Sequence, residues 1–205
     1  TVLKKENISM NITYRIDKDI LYLAVEGRID ASSARKAAKF ISLCDSFSIP
    51  VVTVVDSYGL VIDKENEAIF APELAKLAMA YASSRCPKVT VILGHAIGAA
   101  FVLLGSKSLG ADLVYATEES EIGALSAASG VAFAWDKYIP EEKTREELIN
   151  EWKTTVSSPV NAASSGEIDD IISVNELRAR LCSALLMLSA KGVSASLAYR
   201  KVLPL

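Results

Sequence analysis

Short apolar runs separated by stretches of helical spacing recur along most of the chain. Residues 20–27, ILYLAVEG, are an apolar run closed by Gly27 and predict a strand. Ala34, Ala37, Phe40, Ile41 and Cys44 then fall at helical spacing, with Asp30 or Ser32 placed to cap the start. Pro50 opens VVTVV (51–55), a continuous β-branched run of the kind found in strands covered on both faces. After Asp56, a loop containing Gly59 is expected to lead to a helix over roughly Ala71 to Ser84, broken by Pro87. KVTVIL (88–93) predicts a third buried strand, 94–98 a turn, and AAFVLLGSKSLG an apolar helix ending near Gly110. LVYA (113–116) and EIGA (121–124) predict short strands. The charged segment 140–156 predicts an amphipathic helix, and 174–191 a helix with Leu177, Leu181, Leu185 and Leu188 on one stripe.

This alternation predicts an α/β fold, a mainly parallel sheet with helical cover. Without a linker or low-complexity stretch, residues 1–205 read as one domain, with a lead-in over 1–19 and a helical extension over 140–205. The length suits a single sizeable core. A net charge of −3 argues against a nucleic-acid partner. No run approaches the roughly 20 apolar residues of a membrane helix, so no membrane insertion is expected. The N-terminus lacks the apolar stretch of a signal peptide, which points to a cytoplasmic protein. A first residue of Thr1 rather than Met fits an excised or processed chain. Cys44, Cys86 and Cys182 are scattered and read as buried, reduced thiols; with one histidine, no metal site is expected.

Candidate chemistry concentrates at 94–116. Gly98 permits a tight turn, and Ala99 and Ala100 begin a helix whose first amides have no intrahelical partner. Small side chains leave those N–H groups approachable, as an oxyanion hole requires. The same residues also serve a plainer purpose, close helix–strand packing, and spacing alone leaves both readings open.

Residues 27–205 resemble the C-terminal domain of the biotin-dependent acyl-CoA carboxyltransferase family, which includes propionyl-CoA and acetyl-CoA carboxylase β-type chains and related decarboxylases. The resemblance is carried by RIDASSARKAAKFISLCDSFSIPVVTVVDSYG (28–59), CPKVTVILGHAIGAAFVLLGSKSLGADLVYA (86–116) and SSPVNAASSGEIDDII (157–172), colinear with the family's motifs. It implies a crotonase-like fold, a superhelix of ββα turns, and carboxyl transfer between carboxybiotin and an acyl-CoA. It also implies biotin on a partner protein or domain, a biotin carrier, and a coenzyme A ester as substrate. A partner subunit or domain would supply the coenzyme A half within a homo- or hetero-oligomer. The family's oxyanion motif falls on Gly98, Ala99 and Ala100, with the amides of Ala99 and Ala100 as donors and Gly59, His95, Ile97 and Phe101 around the substrate.

The sequence departs from the family in three places. Val55-Asp56-Ser57-Tyr58-Gly59-Leu60 lacks the family's proline, NEAIFAPELA (66–75) replaces a glycine-rich stretch, and AIGAAF has lost both tyrosines of the oxyanion motif, to Ile97 and Phe101. These changes motivate two alternatives: a non-catalytic assembly subunit, and a crotonase-like coenzyme A ester hydratase or thioesterase. His95 is open to a ligand-orienting or acid–base role, or to satisfying a loop carbonyl. Asp56, at a strand end, is open to function or to capping the next turn. Ser126 and Ser129 lack a nucleophile-elbow motif. Glu118, Glu119 and Glu121 read as solvated surface, Trp135 and Trp152 as packing, and Met79 and Met187 as core filling. The 140–156 helix and the leucine stripe are the expected contact surfaces.

Overall fold

A computed structural model describes residues 13–17, 20–61, 64, 67–135 and 143–191, with side chains from Leu23 onward. The tail beyond 191, including the closing Pro204-Leu205, lies outside them. The order is β1 (Thr13–Asp17), β2 (Ile20–Ile29), α1 (Ala31–Ser46), β3 (Val51–Leu60), α2 (Glu67–Ser83), β4 (Lys88–Ile97) and α3 (Ala99–Leu103). There follow β5 (Leu113–Thr117), β6 (Glu121–Gly123), α4 (Ala127–Gly130), a π turn (Val131–Trp135), α5 (Arg145–Thr155), α6 (Pro159–Ser164), β7 (Asp170–Ile172) and α7 (Leu177–Met187).

Among the described residues the strands run β1-β2-β3-β4-β5-β7, with β6 also on β4. β1 is antiparallel to β2 and every other pairing is parallel. Because side chains alternate along a strand, the two faces carry separate cores. One face holds Leu23, Val55 and Ile92 against Ala37 and Ile41 of α1, Leu77 and Tyr81 of α2, and Leu104. The other holds Val89, Val91, Tyr115 and Ile172 beneath α7. Burying a side chain such as Leu77 contributes about 1.5–3 kcal/mol. A smaller cluster joins Ala127 and Val131 to Leu148 and Trp152 of α5. α5 opens on a capping box in which Thr144 and Glu147 satisfy each other's backbone N–H. Trp135 and Trp152 meet edge to face, as packing residues do.

Asp30 caps α1, its carboxylate accepting from the Ser33 N–H at 2.7 Å. Four elements differ from expectation. β3 and β4 run past Val55 and Leu93, because neighbouring strands keep supplying ladder partners beyond a register shift. α2 starts at Glu67 rather than Ala71 and tolerates Pro72. Its buried Glu73 pairs with Arg35 and Lys76, each at 3.0 Å. The helix expected to reach Gly110 stops at Leu103, and a short 3-10 turn follows at Lys107–Leu109. Gly105 enforces that stop: it has φ +74°, and a Cβ there would lie 2.6 Å from the Thr90 hydroxyl.

The stretch read as a helical extension contributes a strand, β7, to the sheet. The leucine stripe lies half-buried on the second core, so it is spent inside the chain rather than offered as a contact surface. Met79 and Met187 are exposed rather than core filling, because their helices turn these positions outward. Cys44 and Cys86 are buried, and burial pushes the Cys44 thiol up to about 12; Cys182, on α7, is exposed. No helix among the described residues is long and apolar enough to cross a membrane.

Candidate active site

β4 pairs with β5 up to Ile92, then takes up β6 at His95. At its end Gly98 adopts φ +62°, ψ −137°, a region that favours glycine. Its N–H donates to the Gly123 carbonyl at 2.8 Å. A Cβ on Gly98 would sit 3.3 Å from the Ala124 carbonyl. This turn starts α3, and among the described residues neither the Ala99 nor the Ala100 N–H has a protein acceptor. The two amides differ in access, since Ala99 is exposed and Ala100 is 0% exposed.

Ala99 opens onto a groove of about 660 Å³, whose lining includes Gly98, Phe101, Lys107, Gly123, Ala124 and Gly166. Glycine and alanine at 98, 99, 123, 124 and 166 leave backbone groups accessible there, beside the side chains of Phe101, Val102 and Lys107. Lys107 is ion-paired with Asp169 at the rim. Of the expected site residues, Gly98, Ala99 and Phe101 line this groove; Gly59, His95, Ile97 and Ala100 do not. Gly59, with φ +114°, packs behind, where a Cβ would stand 3.6 Å from the Ile97 carbonyl. Residues 67–75, in place of the family's glycine-rich stretch, form the start of α2 and lie outside the lining.

A second polar group lies where β3, β4 and β6 end. The Asp56 carboxylate accepts from the His95 backbone N–H at 2.8 Å and meets Nδ1 of the ring at 2.9 Å. An ionised carboxylate only accepts, so Nδ1–H donates this bond. Gly94 makes room, because a Cβ there would lie 2.5 Å from Asp56 Oδ1. Tyr58 stacks on the imidazole, centroids 3.9 Å apart. Its phenol is pushed above the usual range by burial, then by the Asp56 and Glu121 charges. Asp56 thus holds His95 instead of capping a turn.

Glu121 stands apart from Glu118 and Glu119, which are exposed as expected. It is 9% exposed, and its Oε1 accepts from the Ala127 N–H at 2.7 Å. Its Oε2 lies 4.0 Å from His95 Nε2 and 3.9 Å from Lys153 Nζ. The hydroxyls of Ser126 and Ser129 bond to each other on the surface. Sequence reasoning missed both the Asp56–His95 pair and the buried role of Glu121, since each depends on contacts far apart in the chain. No group of three or more His, Cys, Asp or Glu side chains suited to a metal ion occurs among the described residues.

The family model described as "Carboxyl transferase domain" matches residues 20–202. The chain is 37% identical over 171 residues to the methylmalonyl-CoA decarboxylase subunit alpha of Propionigenium modestum, covering 80% of this chain and 33% of that one. It is 34% identical over 173 residues to the methylmalonyl-CoA carboxyltransferase 12S subunit of Propionibacterium freudenreichii subsp. shermanii, covering 82% and 33%. A crystal structure of transcarboxylase 12S with methylmalonyl-CoA and methylmalonic acid bound matches with a TM-score of 0.79 and 31% identity, over 89% of this chain and 37% of the other. The crotonase-like α/β fold is thereby established, and the chain spans about a third of the length of the curated relatives it matches.

Proposed function

The chain belongs to the carboxyl transferase domain family, and from that premise we propose that it forms the biotin-side half of an acyl-CoA carboxyltransferase or decarboxylase site. The observation that carries this reading is Ala99, whose amide has no protein acceptor among the described residues and which lines a groove together with Gly98, Gly123 and Ala124. The Ala99 N–H suits the ureido oxygen of biotin, which in its carboxylated form supplies the carboxyl group to be transferred; Ala100, expected as the second donor, is enclosed. The Ala99 amide stabilises negative charge on that oxygen, and a preorganised donor of this kind contributes a few kcal/mol. Gly98 fixes its direction, and Phe101 forms an apolar side of the groove. The coenzyme A ester sits on a partner subunit or domain, and a carrier protein delivers the biotin. The transcarboxylase 12S relative is described as a hexamer, which supports an oligomeric setting.

The test combines this chain with a biotin carrier and the coenzyme A-binding half of a relative, and follows methylmalonyl-CoA decarboxylation. Biotin-dependent turnover is expected, and Ala99→Pro, which deletes the donor, lowers it by about 10²–10³-fold. Absence of biotin-dependent turnover sinks the reading, and coenzyme A ester binding with hydrolysis or hydration but no biotin dependence favours a thioesterase or hydratase. One observation favours an assembly subunit instead: Ala100 is wholly buried, so the second donor is closed to solvent. Measurable biotin binding that Ala99→Pro abolishes eliminates that alternative.

A further inference from the structure

We propose that Glu121 is a positioning residue for the groove, acting through Gly123 and Gly98 on the Ala99 amide. This rests on the groove being the working site. The connection runs along segment 121–127, tied by hydrogen bonds at both ends and paired with β4 over Glu121–Gly123. Helix α4 begins at Ala127, and the side chain of its flanking residue Ser126 does not cap it. The cap comes from Glu121 instead, whose Oε1 accepts the buried Ala127 N–H at 2.7 Å. That bond closes the loop between β6 and α4, which carries the groove-lining Ala124 just after Gly123, the last residue of β6. At the loop's start the Ile122 N–H donates to the Ser157 carbonyl at 2.9 Å, and Gly98 donates to the Gly123 carbonyl at 2.8 Å. Gly98 immediately precedes Ala99, so the direction of the Ala99 N–H is set by a loop that Glu121 pins at its far end.

The second carboxylate oxygen explains why a charged residue tolerates this depth. Oε2 faces Lys153 at 3.9 Å and His95 Nε2 at 4.0 Å. The Lys153 ammonium thus lies beside the charge, while Asp56 keeps the neighbouring imidazole oriented. Losing the acceptor strands a buried N–H, which provides the force to reopen the loop.

The experiment is residue-resolved amide hydrogen exchange by NMR on the wild-type chain, Glu121→Ala and Glu121→Gln. Glu121→Ala is expected to cost the Ala127 and Gly98 amides about 10-fold or more in protection, while Val91 in the ladder keeps its own. Glu121→Gln, whose amide oxygen still accepts, restores both to within about 3-fold. If Glu121→Ala does not fold, Glu121→Asp, one methylene short, takes its place with the same expectation. Unchanged Gly98 protection in a folded Ala or Asp variant overturns the proposal, as does a failure of Gln to rescue. In the reconstituted assay Glu121→Ala lowers kcat about 10-fold per folded molecule with KM for biotin held within about 3-fold, and Gln recovers it. Because exchange requires no turnover, a wild-type chain with the expected protection pattern but no biotin dependence defeats the groove reading and leaves the positioning role standing.

Discussion

β3 and β4 each have two halves, and the halves behave differently. Over Val51–Val55 and Lys88–Ile92 they pair in unbroken register, buried on both faces by the two cores. Past the shift after Val55, the same strands carry Asp56, Tyr58, Gly94 and His95, partly exposed, with Asp56 and His95 hydrogen-bonded across the sheet. Irregular pairing re-aims side chains, and it concentrates beside working sites. The contrast teaches that regular ladder and dense packing fix the strands at one end. Polar groups and bare amides can then be presented at the other without loss of the fold.

That division can be broken from either side. Leu77→Ala, in the packed half, is expected to cost about 2–5 kcal/mol in urea unfolding, with biotin-dependent turnover per folded molecule unchanged. Gly94→Ala, in the open half, forces a methyl into the space of the Asp56 carboxylate and costs about 1–3 kcal/mol. Its sharper signature is loss of the Nδ1–H pattern in the ¹⁵N spectrum of the chain's single histidine, with Val91 exchange unaltered.

Acid probes the packed half again. The hydrogen bond from Arg35, joined by Lys76, holds the Glu73 carboxyl at about 2, against an ordinary 4.5. A depressed carboxyl contributes stability that is fully present above pH 4.5 and is lost as pH falls from there toward 2. Urea midpoints should therefore drop across that window, and Glu73→Gln should flatten the slope. The smallest effect belongs to Lys143→Ala: its 2.7 Å pair with Glu151 is about half exposed at both ends, so the loss stays below about 1 kcal/mol by thermal unfolding.

The packed half was legible in the sequence because its signal is local. VVTVV and KVTVIL announce buried strands by composition, and the spacing of Ala34, Ala37, Phe40, Ile41 and Cys44 gave the inner face of α1. The open half was not, because its structure comes from partners far along the chain. Asp56 looks like a turn residue until β2 supplies its ladder partner Glu26, and Gly94 until β6 takes up the strand just beyond it. The end of α3 is set by Gly105 meeting Thr90 across 15 residues. Glu118, Glu119 and Glu121 are one acidic cluster on paper; the pleat of β6 and the Ala127 amide single out the third. At the site itself, Gly98, Ala99 and Phe101 were found through the family's motif, and no local pattern told the open Ala99 from the enclosed Ala100.

The switch of β4 from one neighbour to another has a practical corollary for anyone redesigning this protein. Leu93 and Gly94 fall between the two ladders, so the segment beyond them is a distinct stretch of the same sheet, held by β6 and, at Ala96, by β3. Yet residues 94–98 cannot be transplanted alone, because the Gly98–Gly123 bond ties them to 121–127. Grafts that move both segments together should keep their shape in a new host, whereas grafts of either one should arrive with a frayed turn.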